Sequence, residues 1–357
     1  MNSGDSQKPT YRRTTINDVA KMASVGKVTV SYVLNGRGPE VGISSETAER
    51  VLAAARELNY RPNGVARMLA RSRSDSIAIV FQHAHFFAAA SPFLNDALRG
   101  VCEECLNLGL DVTLHTKPSE NPIAEANALS DGRVDGVLML RDQGDPTLSA
   151  LVDLNFPVVL FFSRSSDPTI PYVDCDNFTG GKIAANHLLA LGHRRVGMVV
   201  GSPNSVDSSD RLQGFRSTFE NEGHPMDPKH VIRIPNPNAN MDALIELLRS
   251  KTRPSALFVW SDDVAFECIR VIRELGLQIP RDVSIIGFDS TAACTRIDPP
   301  LTSIRQPIID MARKATQILH SIVQGNNNQA MQLVFPPQLD IRGSTAEPSA
   351  TFKEETP

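Results

Sequence analysis

The residues best suited to bind a partner lie on a short predicted helix near the N-terminus of this 357-residue chain, KVTVSYVLN from Lys27 to Asn35. Val30, Val33 and Leu34 share one face of that helix and would be buried against neighbouring helices. The opposite face carries hydrogen-bonding and aliphatic side chains, at Lys27, Val28, Thr29, Ser31 and Tyr32. These groups can donate to base edges or pack on a thymine methyl, so the face has the chemistry to contact DNA.

Two further helices must position that face. Thr15 is a good N-cap for the first, with Asp18 in the capping-box position. Gly26 permits a tight turn before the second helix. Ser44 can cap the third, whose predicted apolar stripe is Val51, Leu52, Ala55 and Leu58. Three helices in this arrangement predict a helix-turn-helix, which places its second helix in the major groove. A small helical bundle without a role in nucleic-acid binding is the alternative.

The charge distribution favours DNA as the partner. Residues 1–74 carry 12 Lys and Arg against 6 Asp and Glu, whereas residues 75–357 carry 24 against 34. A basic N-terminal part attached to an acidic remainder places a polyanionic partner at the N-terminal part.

The amino-acid composition excludes several classes of protein. The five cysteines are few and odd in number, which argues against a disulfide scaffold and indicates a reducing cytoplasm. No apolar run approaches the roughly 20 residues of a membrane helix, and the N-terminal segment shows no secretory signal. We find no Walker loop, no nucleophile elbow and no paired metal ligands, so we expect neither an enzyme nor a metal or cofactor site.

Residues 75–346 alternate predicted strands with helices. The strands fall in two series, at 76–81, 111–115, 136–140 and 158–162, then at 196–201, 256–260 and 283–287. This order predicts two doubly wound parallel sheets with helices on both faces, an α/β fold. Ligands bind where the carboxyl ends of such strands meet, so two facing lobes would form a binding cleft.

The segments TINDVAKMASVGKVTVSYVLN and VLAAARELNYRPNGVARMLA resemble the LacI/GalR family of bacterial transcription regulators, and the resemblance extends over about residues 14–346. It implies a helix-turn-helix head, a hinge helix and two lobes of the periplasmic-binding-protein type. It also implies base contacts by Lys27, Val28 and Tyr32. Backbone contacts would come from Thr15, Thr29, Ser31 and Asn35. Gly26 and Tyr32 depart from the family pattern, which usually has Ser and often has Arg at these positions.

Residues 62–74 resemble the family's hinge helix. The resemblance implies that Leu69 wedges into a minor-groove base step beside the same residue of a second subunit. Val65 and Ala66 would complete the apolar face, and Arg67 would lie near phosphates. A plain basic linker is the alternative.

The resemblance also implies an effector site between the lobes. Arg211 and Asp289 match the family's effector contacts, since a guanidinium fork grips oxygen atoms and a carboxylate accepts hydroxyl protons. Asp262 matches the family pattern, whereas Ser261 and Ser163 depart from it. Phe81, Phe161 and Trp260 are candidate stacking surfaces, with ordinary sheet core as the alternative. His83 and His85 could line the cleft or belong to a solvated loop.

The sequence therefore predicts a cytoplasmic, nucleoid-associated transcription regulator, most simply a repressor. It would bind palindromic operators as a homodimer under the control of a sugar-like effector. The expected divisions are a head at 14–61, a hinge at 62–74, two lobes within 75–346 and a disordered tail at 347–357. The first lobe would comprise about 75–175 and 306–335, and the second about 176–305 and 336–346. A sugar-binding protein without a regulatory role is the alternative.

Overall fold

The computed structural model describes residues 14–61, 73–81, 91–116, 119–141, 144–326 and 331–349. The chain divides into two compact units, and the boundary lies between Ser74 and Asp75. The expected hinge residues Val65, Ala66, Arg67 and Leu69 lie outside the described residues, as do His83 and His85.

The described part of the N-terminal unit contains three α-helices, α1 (Ile16–Met22), α2 (Lys27–Leu34) and α3 (Ser45–Glu57). The Thr15 amide and hydroxyl both donate to the Asp18 carboxylate, at 2.8 and 2.7 Å, which fixes the start of α1. Ser44 accepts a hydrogen bond from the Thr47 amide at the start of α3. Val19, Val30 and Val51 are fully buried where the three helices meet.

Two details of this unit differ from the sequence prediction. Leu52 is 41% exposed, because the buried stripe of α3 runs through Val51, Ala54 and Ala55 and leaves position 52 on the flank. The turn between α1 and α2 places Ser24, not Gly26, in the left-handed region, with a φ of 54°. Gly26 instead precedes α2 in an extended conformation and gives no side-chain cap, as the missing hydroxyl predicts.

The second unit contains two lobes, each built on a six-stranded sheet. The first sheet has the order β11-β5-β4-β3-β1-β2, and all of its strands are parallel. Its strands are β1 (Ser76–Phe81), β2 (Asp111–His115), β3 (Gly136–Leu140), β4 (Val158–Phe161), β5 (Tyr172–Cys175) and β11 (Gln332–Phe335). The helices of this lobe are α4 (Pro92–Leu108), α5 (Pro122–Leu129), α6 (Pro146–Asp153) and α11 (Ile308–Val323).

The second sheet has the order β12-β10-β9-β8-β6-β7. Its strands are β6 (Val196–Val200), β7 (Val231–Arg233), β8 (Ala256–Val259), β9 (Ser284–Asp289), β10 (Thr302–Arg305) and β12 (Gln338–Asp340). The helices are α7 (Asn177–Ala190), α8 (Val206–Asn221), α9 (Asp242–Arg249) and α10 (Asp262–Glu274). The prediction of two parallel sheets is confirmed, and the edge strand β12, which was not predicted, runs antiparallel to β10.

The chain passes between the lobes three times, after β5, after β10 and between β11 and β12. The C-terminal segment then remains with the second lobe. The Ser344 side chain donates to the Ile285 carbonyl and accepts from the Thr302 amide, at 2.6 and 2.8 Å. The ring of His193 contacts the Ala346 carbonyl at 2.9 Å. Each lobe is therefore assembled from segments that are distant in the sequence.

Helices α7 and α8 of the second lobe pack unusually closely. A Cβ atom at Gly181 would collide with the backbone oxygen of Arg211, and one at Gly214 would collide with the backbone oxygen of Phe178. These two glycines therefore set the distance between the helices, and with it the position of Arg211 on α8.

We expect Gly214→Ala to lower the free energy of unfolding by about 1–3 kcal/mol, because the added methyl group forces two backbones apart. Urea unfolding of the full chain measures the change. Glu220→Ala, an exposed substitution on the same helix, is the control and should change it by less than about 0.5 kcal/mol. Equal stability of the two variants would contradict the role of Gly214.

Candidate functional site

The outward face of α2 presents the side chains that the sequence selects for base contact. Lys27 and Val28 are exposed, and Val28 is 61% exposed although it is aliphatic. Tyr32 is half-buried one turn later. The structure thus brings these three residues to one surface of the head.

The four residues expected to contact the DNA backbone surround this surface. Thr15 and Asn35 are exposed, and Thr29 and Ser31 are half-buried. The Asn35 amide donates to the Ser31 carbonyl at 2.8 Å, which closes the C-terminal end of α2. Sequence reasoning missed Arg37, whose guanidinium lies 5.7 Å from the centre of the Tyr32 ring and pairs with Glu40 at 2.9 Å. A basic residue just past the end of a predicted recognition helix is the signal that could have identified it.

A cavity of about 350 Å³ lies between the two lobes of the second unit. Its described lining comes largely from residues at or just after the carboxyl ends of strands, where a parallel sheet offers backbone and side chains to a ligand. Leu140 ends β3, Phe162 and Ser163 follow β4, Trp260 and Ser261 follow β8, and Asp289 ends β9.

The wall from the first lobe is largely apolar. Phe93 and Phe162 meet edge to face, with ring centres 4.9 Å apart, and Leu140 lies beside them. Phe162 takes a φ of 51°, a left-handed conformation that non-glycine residues rarely adopt. The Ser163 hydroxyl donates to the Arg141 carbonyl at 2.6 Å, which fixes the loop after β4. This wall offers flat apolar surfaces to a ligand.

The opposite wall is centred on Arg211, which is only 4% exposed. Its Nε donates to the Asn177 side chain at 2.9 Å, and its Nη1 donates to the Trp260 carbonyl. Its guanidinium lies 3.5 Å from the centre of the Phe288 ring. These contacts hold the guanidinium in one orientation and leave further N–H groups for a ligand.

Asp289 lines the same wall. Its carboxylate accepts from the Gln306 amide at 2.7 Å and from the Asp262 backbone at 3.4 Å. Its φ of 119° is strained for a residue with a side chain. Burial, followed by the neighbouring Asp262 carboxylate, raises the pKa of Asp289 well above its usual value.

Asp207 is a further carboxylate at the cavity, one that sequence reasoning missed. Burial and then the Asp174 carboxylate raise its pKa well above the usual value, and burial raises the pKa of Asp174 to about 6. The Asn177 amide lies between the two carboxylates, 3.2 Å from each Asp174 oxygen and 3.5 Å from Asp207. Asp207 precedes Arg211 by four residues on α8, and this spacing places both on one helix face.

Three of the expected effector residues do not line the cavity. Phe81 and Phe161 are 5% and 1% exposed and belong to the apolar core, because the side chains of a strand alternate between its two faces. Asp262 is fully buried and accepts from the Ser303 hydroxyl at 2.6 Å and the Thr291 amide at 3.0 Å. Asp262 therefore stabilises the ends of β9 and β10 from a buried position that does not face the cavity. Arg211, Asp289, Ser261, Ser163 and Trp260 do line the cavity.

Two contacts join the lobes across the cleft. The Ser91 hydroxyl, before α4, donates to the Asp263 carboxylate of α10 at 2.5 Å, while accepting from the Leu94 amide at 3.2 Å. Burial raises the pKa of Asp263, and the Ser91 hydrogen bond opposes that rise. Arg164 of the first lobe pairs with Asp210 of the second. The described structure is therefore a closed form of the two lobes.

Among the described residues, no cluster of three or more His, Cys, Asp or Glu could hold a metal ion. The described helices include none with the length and apolarity to cross a membrane.

Comparison with known proteins connects both surfaces to one family. Residues 15–63 match the family described as bacterial regulatory proteins, lacI family, and residues 185–345 match a periplasmic binding protein-like domain. The HTH-type transcriptional regulator CelR of Thermobifida fusca is 31% identical over 93% of this chain and 98% of its own.

Two further comparisons agree with these matches. The HTH-type transcriptional repressor PurR of Haemophilus influenzae (strain ATCC 51907 / DSM 11121 / KW20 / Rd) is 30% identical over 92% of this chain and 98% of its own. A solved CelR–cellobiose complex superposes with a TM-score of 0.71 at 31% identity, covering 93% of this chain and all of that one.

We expect the Ser91–Asp263 hydrogen bond to contribute to lobe closure. In a double-mutant cycle with Ser91→Ala and Asp263→Asn, the coupling in the free energy of unfolding should be about 1.5–3 kcal/mol, as for a hydrogen bond to a charged group. Small-angle scattering of each variant should show a larger radius of gyration. The control pair is Arg270→Ala with Glu274→Ala, an exposed pair within α10. Coupling no larger than the control value and an unchanged radius would refute the bridging role.

Proposed function

The chain belongs to the LacI family of bacterial regulatory proteins, and we propose that it binds operator DNA under the control of a polyhydroxylated effector held between its lobes. It is a DNA-binding transcriptional regulator of the repressor type and not an enzyme. The observation that carries the effector part of the proposal is Arg211, oriented by protein contacts with free donors at a cavity that has one apolar wall and one polar wall.

For the DNA part, Lys27, Val28 and Tyr32 contact base edges while Thr15, Thr29, Ser31 and Asn35 contact phosphates. The exposed position of Val28 supports this assignment, because an aliphatic side chain gains nothing from water but packs well on a thymine methyl. Phosphate contacts set the register of the head, whereas base contacts carry the sequence information.

We assign the head to residues 14–61, the hinge to 62–74, the lobes to 75–346 and a tail to 347–357. Within the hinge, Leu69 is the minor-groove wedge, Val65 and Ala66 complete its apolar face, and Arg67 lies near phosphates. A wedge of this kind needs a two-fold partner, so the protein acts as a homodimer on palindromic sites. It works in the cytoplasm, in association with the nucleoid.

The two walls of the cavity match the two kinds of surface on a sugar ring. Phe93, Phe162 and Trp260 can pack on the apolar face of the ring, and Arg211 and Asp289 can bond its hydroxyl groups. The solved relative CelR holds cellobiose, a sugar. We therefore assign a sugar or a closely related metabolite as the effector.

The effector and DNA are coupled through the lobes. A ligand that contacts both walls favours the closed form of the lobes. A change in lobe closure then shifts the fraction of molecules whose helix-turn-helix heads are positioned to bind DNA. The coupling is reciprocal and typically amounts to about 1–3 kcal/mol. A sugar-binding protein without a regulatory role is a poorer account, because it leaves the helix-turn-helix head without a purpose.

Lys27→Ala should relax operator preference, with a loss of about 1–3 kcal/mol of discrimination at one base pair. Selection from a randomised duplex library, followed by titration at fixed salt, measures the preference. Lys21→Ala removes the same charge from α1 and should weaken binding evenly across sequences. An unchanged preference in Lys27→Ala would remove this residue from base readout.

Arg211→Ala should weaken binding of the most stabilising sugar in a thermal-shift screen by about tenfold to a hundredfold, because a charge-assisted donor is lost. Operator affinity without sugar should remain. Arg211→Lys keeps the charge but loses the planar fork, so its sugar affinity should lie between those of the unmodified protein and Arg211→Ala. Arg216→Ala, on the same helix, is the control. Unaltered sugar affinity in Arg211→Ala would contradict the proposed effector site.

A further inference from the structure

The charged residues that line the cavity restrict the charge of the effector, which the shape of the cavity alone does not. Among the described residues, three carboxylates line the cavity, from Asp207, Asp263 and Asp289, against two guanidinium groups, from Arg141 and Arg211. Whether the site accepts an anion depends on how much of the positive charge is free.

Arg141 is largely neutralised by the protein. Its Nη2 pairs with Glu125 at 2.5 Å and its Nη1 with Asp145 at 3.2 Å, and its side chain is 7% exposed. Two carboxylates on one buried guanidinium leave a net negative charge, so Arg141 does not attract a further anion.

Arg211 is shared among still more carboxylates. Its charge acts on Asp174, Asp207, Asp210 and Asp289, in each case opposing the rise in pKa that burial causes. Arg164 also acts on Asp174, Asp207 and Asp210, but it is itself paired with Asp210. Two cations therefore face four acidic groups, and the carboxylates remain in excess. The free N–H groups of Arg211 can still donate to neutral hydroxyl oxygens.

Of the described carboxylates that line the cavity, Asp207 has the weakest hydrogen bonding. Among the described residues its side chain has one recorded hydrogen-bond contact, with the Asn177 amide at 3.5 Å, which is long for a bond to a charged acceptor. Burial and the Asp174 carboxylate already disfavour negative charge at Asp207. A ligand that brings hydroxyl or ammonium protons satisfies its oxygen atoms, whereas a phosphate or carboxylate adds negative charge where the site disfavours it.

We infer that the cavity selects uncharged or cationic polyhydroxylated effectors and rejects their phosphorylated and carboxylated counterparts, with Asp207 as a determinant of that selectivity. This inference rests on the proposed function, because it concerns the same effector site.

The test uses the full chain and sets of ligands that share one ring. Each set contains a neutral hexose, its 2-amino derivative, its 6-phosphate and its uronic acid. The three sets are built on glucose, galactose and mannose. Inorganic phosphate is tested separately. Thermal shift identifies the sets that bind, and calorimetry gives the affinities. In any set that binds, the neutral or amino member should bind at least tenfold more tightly than either acidic member.

Asp207→Asn keeps the shape of the side chain and removes its charge. The preference for neutral over acidic members should shrink by about tenfold in this variant, which corresponds to about 1.4 kcal/mol. Asp153→Asn, an exposed change of the same charge on α6, should leave the preference unaltered. Asp207→Ser provides the same measurement should the Asn variant not fold.

The outcomes separate this inference from the proposed function. If an acidic member binds as tightly as its neutral parent and Arg211→Ala abolishes that binding, the effector site stands and the charge selectivity is overturned. If the preference is present but unchanged in Asp207→Asn, the role of Asp207 is overturned. If no member of any set binds, the proposed sugar effector fails and the inference fails with it.

Discussion

The polar wall of the interlobe cavity depends on one buried cation. The Arg211 guanidinium contacts the start of α7 through Asn177, the end of β8 through Trp260 and the face of β9 through Phe288. Its contacts thus join three elements of the second lobe, and its charge offsets the repulsion among the aspartates around it. A buried guanidinium of this kind is costly to desolvate, and it is tolerated because carboxylates surround it and two of its donors bond to the protein. The same contacts prevent it from swinging away from the cavity.

The position of that cation is set by packing as much as by polar contacts. Helix α8 can carry Arg211 close to α7 because Gly181 and Gly214 remove the side chains that would keep the helices apart. Across the cleft, Ser91 reaches Asp263 while it caps α4. The Ser91 hydroxyl therefore stabilises both the start of α4 in one lobe and a contact with the other lobe. Movement of the lobes that breaks this contact would also affect α4, which packs in the core.

The fold was largely predictable from the sequence, and the cavity only in part. Alternation of apolar strands with helices located seven of the twelve described strands, but it did not locate β5, β7, β10, β11 or β12, each of which has only three or four residues. Arg211 and Asp289 were found because the resemblance covers their motifs. Phe161 was chosen over Phe162 because strand membership does not reveal which face of a strand meets the cavity, nor that Phe162 turns into a left-handed conformation. Asp262 was chosen over Asp263 for a similar reason: adjacent acidic residues at a helix start look alike until burial separates them.

The three crossings of the chain have a consequence for synthesis on the ribosome. The sheet of the first lobe is incomplete until β11 is made, and the second lobe still needs Ser344 and Ala346. The head, in contrast, takes all of its described core from residues before 61. A nascent chain therefore carries a folded helix-turn-helix head long before the metabolite sensor exists, and control by the metabolite can begin only after residue 346 has been made.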